Sequence, residues 1–327
     1  MEYRSVAQLN DRIVDWVPRL PRDLDLIVGI PRSGLLAANL LALHMNLPMT
    51  DVEGLIEGRL LRSGSRTNGS SGSTGPFRPH NVLVVDDSIC SGSALRKVRN
   101  QISTAKLPHH IRYGAVFVSK ESEEREDADF FAEIVPVPRV FEWNILHTPL
   151  LASMCVDIDG VLCHDPTSKE NDDGPLYRKF LSSATPLHLP TFEIGWLVTS
   201  RLEKYRSETE AWLERHGVKY RELIMMQYPD MAARQAARQY SAFKADAYME
   251  TGAILFIESA PWTAAEVAET TGKSVFCTET REMLWPGAAP RERPAYGPVL
   301  HPAVAAANTM LRRSTRQFRR ARRRLGI

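Results

Sequence analysis

Two stretches of this chain set paired carboxylates at the ends of apolar runs, a placement that serves sugar, metal and proton-transfer chemistry. In the first, Val82-Leu83-Val84-Val85 is followed by Asp86-Asp87-Ser88-Ile89-Cys90-Ser91-Gly92-Ser93. The mostly β-branched run predicts a buried strand, and the polar run predicts a turn into a helix from about Ala94. Backbone N–H groups in a small-residue turn ahead of a helix suit a phosphate. Asp86 and Asp87 would repel that phosphate, so they should face something neutral or cationic; a sugar diol and a Mg2+ ion meet both demands. In the second stretch, Met154-Cys155-Val156-Asp157-Ile158-Asp159-Gly160-Val161-Leu162, the two carboxylates are spaced by two. Residues i and i+2 of a strand point the same way and the chain breaks at Gly160, which brings both acids to the strand's carboxyl end. One can act as nucleophile and metal ligand, the other as general acid/base.

The first stretch resembles the motif with which type I phosphoribosyltransferases bind phosphoribosyl pyrophosphate (PRPP). The resemblance implies that Asp86 and Asp87 contact the ribose hydroxyls while Ser88, Ile89, Cys90, Ser91, Gly92 and Ser93 grip the 5-phosphate. Many members carry an Asp that can act as general base where this chain has Cys90, and a Thr at Ala94, so the usual base for a purine acceptor is missing. Upstream, Leu24-Asp25-Leu26-Ile27-Val28-Gly29-Ile30 predicts another strand, followed by the turn Pro31-Arg32-Ser33-Gly34. A turn with Arg and Gly at the end of a parallel strand is a second anion site. In the family the equivalent loop binds the pyrophosphate of PRPP, here with Ser33 in place of a Gly. Between the loops, residues 59–75 are rich in Gly, Ser, Thr and Asn and predict a mobile segment, either a linker or, as the resemblance implies, a lid. A lid would keep water from an oxocarbenium-like ribosyl centre.

The second stretch resembles the first signature of the haloacid dehalogenase superfamily of phosphatases. Three pieces follow in that family's order: Trp196-Leu197-Val198-Thr199-Ser200, Lys244, and Ile254-Leu255-Phe256-Ile257-Glu258-Ser259. The resemblance implies that Asp157 attacks phosphorus and that Asp159 protonates the leaving alcohol and then activates water. Thr199, or Ser200 beside it, would hydrogen-bond the phosphoryl group, and Lys244 would neutralise the charge shared by phosphate and Asp157. The Mg2+ ligands would be Asp157, Asp159 through its backbone region, and Glu258, where many members have Asp. The stretch 164–193, where a specificity cap could be inserted, reads as loop and leaves the site open, which suits a phosphate displayed on something large.

Positioning both sets of residues takes two doubly wound parallel-sheet α/β domains, the first phosphoribosyltransferase-like over residues 1–150 and the second phosphatase-like over 151–286. A Pro-rich linker and an arginine-rich tail would fill 287–327. Residues 6–18 space Val6, Leu9, Ile13 and Val17 as an amphipathic helix. Residues 135–144 close the first domain, with Phe141 or Trp143 as a stacking platform in a hood over the acceptor or as ordinary aromatics in an inter-domain seam. A hydrophobic content of 43% and a charged content of 24% fit a soluble globular protein. Cys90, Cys155, Cys163 and Cys277 have no metal-type or framework spacing and fit a reducing cytosol. No apolar run reaches the roughly 18 residues of a membrane span, and the start carries no signal core, so neither export nor membrane integration is expected. The net charge of +2 conceals eight arginines between Arg312 and Arg324, which leave the rest acidic. Such a tail reads as a solvated helix or arm, or as a contact with anionic lipid worth about 1 kcal/mol per basic residue; nucleic acid competes as a partner, though no nucleic-acid motif is present.

Together the halves predict phosphoribosyl transfer from PRPP to an acceptor, followed by Mg2+-dependent removal of the 5-phosphate to leave a ribofuranosyl product. The tail points toward a surface glycan on lipid at the inner membrane face, a pairing that resembles bacterial two-domain ribofuranosyltransferases. Nucleobase salvage with a fused phosphatase, and a PRPP sensor beside an independent phosphatase, are the alternatives.

Overall fold

The computed structural model describes residues 1–61, 79–119 and 128–287. Most of the lid-or-linker stretch, most of the acidic turn at 121–129, the Pro-rich linker and the arginine-rich tail lie outside the described residues. The chain divides into two compact units, Met1–Ala288 and Ala289–Ile327. The described residues belong to the first, which is of the α/β class.

Its strands are β1 (Glu2–Arg4), β2 (Leu26–Gly29), β3 (Met49–Asp51), β4 (Asn81–Ile89), β5 (His110–Val118), β6 (Phe130–Ile134), β7 (Arg139–Phe141), β8 (Met154–Val156), β9 (Ile194–Leu202), β10 (Tyr220–Met226), β11 (Leu255–Glu258), β12 (Val275–Cys277) and β13 (Glu282–Leu284). One sheet has the order β3-β2-β4-β5-β6, parallel throughout. Successive residues feed opposite layers. Ile27, Leu83 and Val85 pack with the helices Val6–Trp16 and Gly34–Met45, whereas Leu26, Val28, Val82 and Val84 pack with Val52–Glu57 and Ser93–Ala105. A sheet covered on both faces needs apolar residues at every position, which is why its strands read as unbroken apolar runs. The strand order reverses between β2 and β4, where an open α/β sheet forms its crevice.

The other sheet has the order β10-β9-β8-β11-β12-β13, parallel except for the last pair. Val156, Leu197 and Ile257 face the helices Pro175–Ser183 and Arg206–Arg215; Cys155, Val198 and Phe256 face Tyr240–Glu250 and Pro261–Thr271. Its order reverses between β8 and β11. A third, two-stranded sheet pairs β1 with β7 in parallel. Tyr3 of β1 packs its ring 5.5 Å from Phe276 and donates its hydroxyl to Arg281 O at 2.8 Å, so the amino terminus ties the two large sheets together.

Three elements differ from the sequence reading. Strand β4 does not stop at Val85 but runs through the acidic pair, with Asp86, Ser88 and Ile89 in register with Ala115, Phe117 and Val118. The long apolar β5 supplies a ladder partner that holds these polar residues extended. The stretch 164–193 contains the helix Pro175–Ser183, which buries Tyr177, Phe180 and Leu181. Proline sits in its first turn, and Asp172 accepts the N–H groups of Gly174, Leu176 and Tyr177, so residues that looked like loop composition form the helix cap. The opening helix buries Leu9, Ile13 and Trp16 and leaves Val6, its first residue, between Ser5 and Gln8 of the capping box, exposed; Val17 lies beyond its last turn.

Candidate functional site

At the first switch point Gly29 of β2 stands in register with Val85 of β4. A Cβ on Gly34 would lie 2.9 Å from both Asp86 Oδ1 and Val85 O, an approach only glycine allows. The loop Pro31-Arg32-Ser33-Gly34 is thereby delivered to the acidic pair, with Pro31 and Arg32 exposed and the peptide between them cis. Asp86 and Asp87 are buried, and the Asp87 N–H donates to Asp86 Oδ1 at 2.9 Å. Burial, and then the charge of Asp87, pushes the Asp86 carboxyl up to about 8. Beyond them Ser88 is half-buried and Ile89 buried, and Cys90, Ser91 and Ser93 are exposed around buried Gly92 where the helix Ser93–Ala105 begins. The Ser91 and Ser93 hydroxyls lie 3.0 Å apart. Buried Arg139 of β7 donates to Ile89 O and, at 2.7 Å, to Val135 O, which braces the end of β4.

Of the two aromatics offered as a platform, Phe141 is buried and stacks 5.4 Å from Phe117, while half-buried Trp143 stacks 4.9 Å from Phe141. Trp143 also donates its indole N–H to Asp87 Oδ2 at 2.8 Å. The segment that leads to the second sheet therefore reaches back into the first crevice.

At the second switch point Asp157 follows β8 and Glu258 ends β11. Lys244, from the helix Tyr240–Glu250, donates to Asp157 Oδ2 at 2.7 Å and Glu258 Oε2 at 2.6 Å, all three being buried. The other oxygens accept backbone N–H groups: Asp157 Oδ1 from Ile158 at 2.8 Å, and Glu258 Oε1 from Ser259 and Ala260 at 2.9 and 3.0 Å. Burial pushes Asp157 up to about 7 against the pull of Lys244, with Glu258 and Asp159 adding to the rise. Burial works against the Lys244 charge, yet Asp157 and Glu258 outweigh it and hold the ammonium above the usual lysine value.

Asp159 turns to a different cation. Arg201 donates Nε to Oδ2 at 3.0 Å and Nη2 to Oδ1 at 2.6 Å, a bidentate pair in which the arginine side chain is wholly buried. Arg201 also reaches Thr209 Oγ1 and Cys163 Sγ, each at 3.3 Å. The Asp159 carbonyl accepts from Ser259 Oγ at 3.2 Å, and Gly160, at φ 75°, would put a Cβ 2.3 Å from that oxygen. Asp165, more exposed, has its carboxyl raised by desolvation and by Asp159 and Glu258. The Thr199 hydroxyl is buried and accepts the Arg201 N–H at 3.3 Å, and the Ser200 carbonyl accepts from Arg234 at 2.6 Å. Among the described residues no three His, Cys, Asp or Glu side chains are disposed to hold a metal. With the Asp159 carboxylate on Arg201, the oxygen donors at this point are Asp157, Glu258 and the Asp159 carbonyl.

The expected residues thus gather at two crevices. Arg201 and Arg234 were not anticipated. Arg201 had a signal, since it lies two residues after Thr199 on one strand, the spacing that singled out Asp157 and Asp159; Arg234 had none.

No family model matches the sequence, and no curated protein matches it. Solved structures similar in fold include a Helicobacter pylori xanthine-guanine-hypoxanthine phosphoribosyltransferase, at 18% identity over 44% of this chain and 93% of that one, with a TM-score of 0.34. A purine phosphoribosyltransferase from Pyrococcus horikoshii aligns at 20% identity over 43% and 92%, with a TM-score of 0.31.

Proposed function

We propose that the first crevice transfers phosphoribose from PRPP to an acceptor and that the second removes the 5-phosphate from the product. The observation that carries this reading is the pairing of two unlike carboxylate sites, each at a sheet's switch point, in one compact unit. Asp86 and Asp87 would take the ribose diol. The exposed hydroxyl turn at Ser91–Ser93, with a helix behind it, would hold the 5-phosphate, and the Pro31–Gly34 loop would hold the pyrophosphate. Cys90, exposed and without a carboxylate, removes the usual base for a purine and favours a hydroxyl acceptor, most simply a glycan.

In the second crevice Asp157 would attack phosphorus, and Lys244 would hold its carboxylate and balance the charge of the transferred group. Asp159, fixed by Arg201 on the carboxyl side of β8, would exchange the proton with the leaving alcohol and then with water. The donor set fits Mg2+, because Asp157, Glu258 and the Asp159 carbonyl are hard oxygens beside an excess of carboxylate, and Mg2+ keeps several waters of its own. When bound, Mg2+ supplies neutralisation of phosphate charge. In this reading residues 1–150 and 151–286 would be the two catalytic domains. The tail at 312–324 would rest on an anionic membrane surface from the cytoplasmic side; among the described residues no helix is long and apolar enough to cross a membrane.

PRPP labelled in the ribose, incubated with Mg2+, an Asp157→Asn variant and a lipid-linked glycan extract, tests the sequence of steps. Label should enter the glycan fraction with its phosphate retained and lose that phosphate when wild-type protein is added. Label found instead in nucleotides after a nucleobase panel is supplied would replace this reading with salvage.

A further inference from the structure

The expected residues of the second crevice leave no cation to spare. Asp157, Asp159 and Glu258 meet Lys244 and Arg201, and both cations are already engaged by those acids at 2.6–3.0 Å. Asp165 adds a further carboxyl nearby. A phosphate approaching this set meets net negative charge.

Arg234 stands apart from that balance. It lies on the helix Met231–Ala237, is half-buried, and forms no ion pair among the described residues. One end of its guanidinium is anchored, Nη1 donating to Ser200 O at 2.6 Å, and its Cζ lies 5.6 Å from the Tyr240 ring centroid. Its Nε is buried, with no partner among the described residues. A buried donor left unmade is costly and marks a place where a ligand or water belongs. Ser200 is next to Thr199 on β9, the neighbour of β8, so the anchor fixes the positive charge on the strand pair that carries Asp157. Guanidinium is the side chain whose forked donors match phosphate oxygens.

We propose that Arg234 is the anion-reading residue of the second crevice, giving the donors that Ser200 leaves free to the phosphate group of the substrate. The assignment rests on the phosphatase reading for its substrate but not for its test. Inorganic phosphate is titrated calorimetrically, with Mg2+ present, into full-length wild-type, Arg234→Gln and Arg234→Lys proteins. Arg234→Gln should weaken phosphate binding roughly tenfold or more, as loss of a charge-assisted contact does, and Arg234→Lys should recover part of it. The wild-type affinity should also fall more steeply with salt than that of Arg234→Gln.

Equal affinity in wild type and Arg234→Gln overturns the proposal, as does a wild type that binds no phosphate. Equal losses in both variants with a lowered unfolding midpoint also overturn it, because Arg234 would then only prop the Ser200 carbonyl. Hydrolysis of p-nitrophenyl phosphate by wild type separates the two readings. Turnover with phosphate binding indifferent to Arg234 removes this assignment and keeps the phosphatase. Arg234-dependent phosphate binding without turnover does the reverse.

Discussion

The two crevices hold the same kind of group in opposite electrostatic states. In the first, Asp86 and Asp87 are adjacent and buried, and among the described residues they accept N–H groups from the Asp87 backbone and from Trp143 and pair with no cation. In the second, Asp157, Glu258 and Asp159 are each paired with a buried cation. Adjacent carboxylates without a cation resist sharing two charges, and the first crevice relieves this by raising one acid rather than by importing a base. It is a site that a neutral diol or a cation would complete. The second sets three carboxylates against two buried cations, so most but not all of its charge is balanced from within.

The largest test of this contrast is Lys244→Met. The substitution preserves bulk and leaves Asp157 and Glu258 buried without their shared cation, and breaking a buried pair from one side costs about 3–5 kcal/mol. Urea unfolding at neutral pH should show that loss. A change below about 1 kcal/mol would mean that the second crevice is not held by its internal charge balance.

The contrast was only half legible in the sequence. Apolar runs before Asp86, Asp157 and Glu258 announced three strands, and Gly34 and Gly160 marked the tight turns beside them, because apolar runs and glycine are local signals. The partners were not local. Arg201 pairs with Asp159 across 42 positions and Lys244 with Asp157 across 87, and nothing near either acid says which cation the sheet will bring. Strand β4 ran past its apparent end for the same reason, its extension being decided by β5. Asp172 and Pro175, which read as loop, turned out to cap a helix whose apolar face only the finished core explains.

Asp86→Asn sharpens the comparison from the other side. The Asp86 carboxyl is raised from its unfolded value of 3.8 to about 8 by burial and by Asp87. Its proton therefore binds the folded state more tightly, and this contribution to stability is full below pH 4 and drains away as pH rises through about 8. The linkage amounts to at most about 1.4 kcal/mol per pH unit. Asparagine carries no proton to lose, so wild type and variant should diverge as pH is raised, with the variant melting higher at pH 9. Parallel melting curves from pH 5 to 9 would show that the acidic pair is already neutralised by something other than a shared proton.

Trp143→Phe is the smallest change and asks whether the first crevice is open or plugged. Phenylalanine retains an aromatic ring to stack on Phe141 but gives up part of the indole's bulk and the 2.8 Å bond to Asp87, the bond alone being worth about 0.5–1.5 kcal/mol in stability. If Trp143 orients Asp87 for a ribose diol, PRPP binding measured calorimetrically should weaken by a few-fold while phosphate release at the second crevice is unchanged. If binding tightens instead, the indole N–H competes with the ribose for the same oxygen. The first crevice would then be largely satisfied from within, like the second, with the segment between the sheets as its occupant, and PRPP would have to displace that segment to enter.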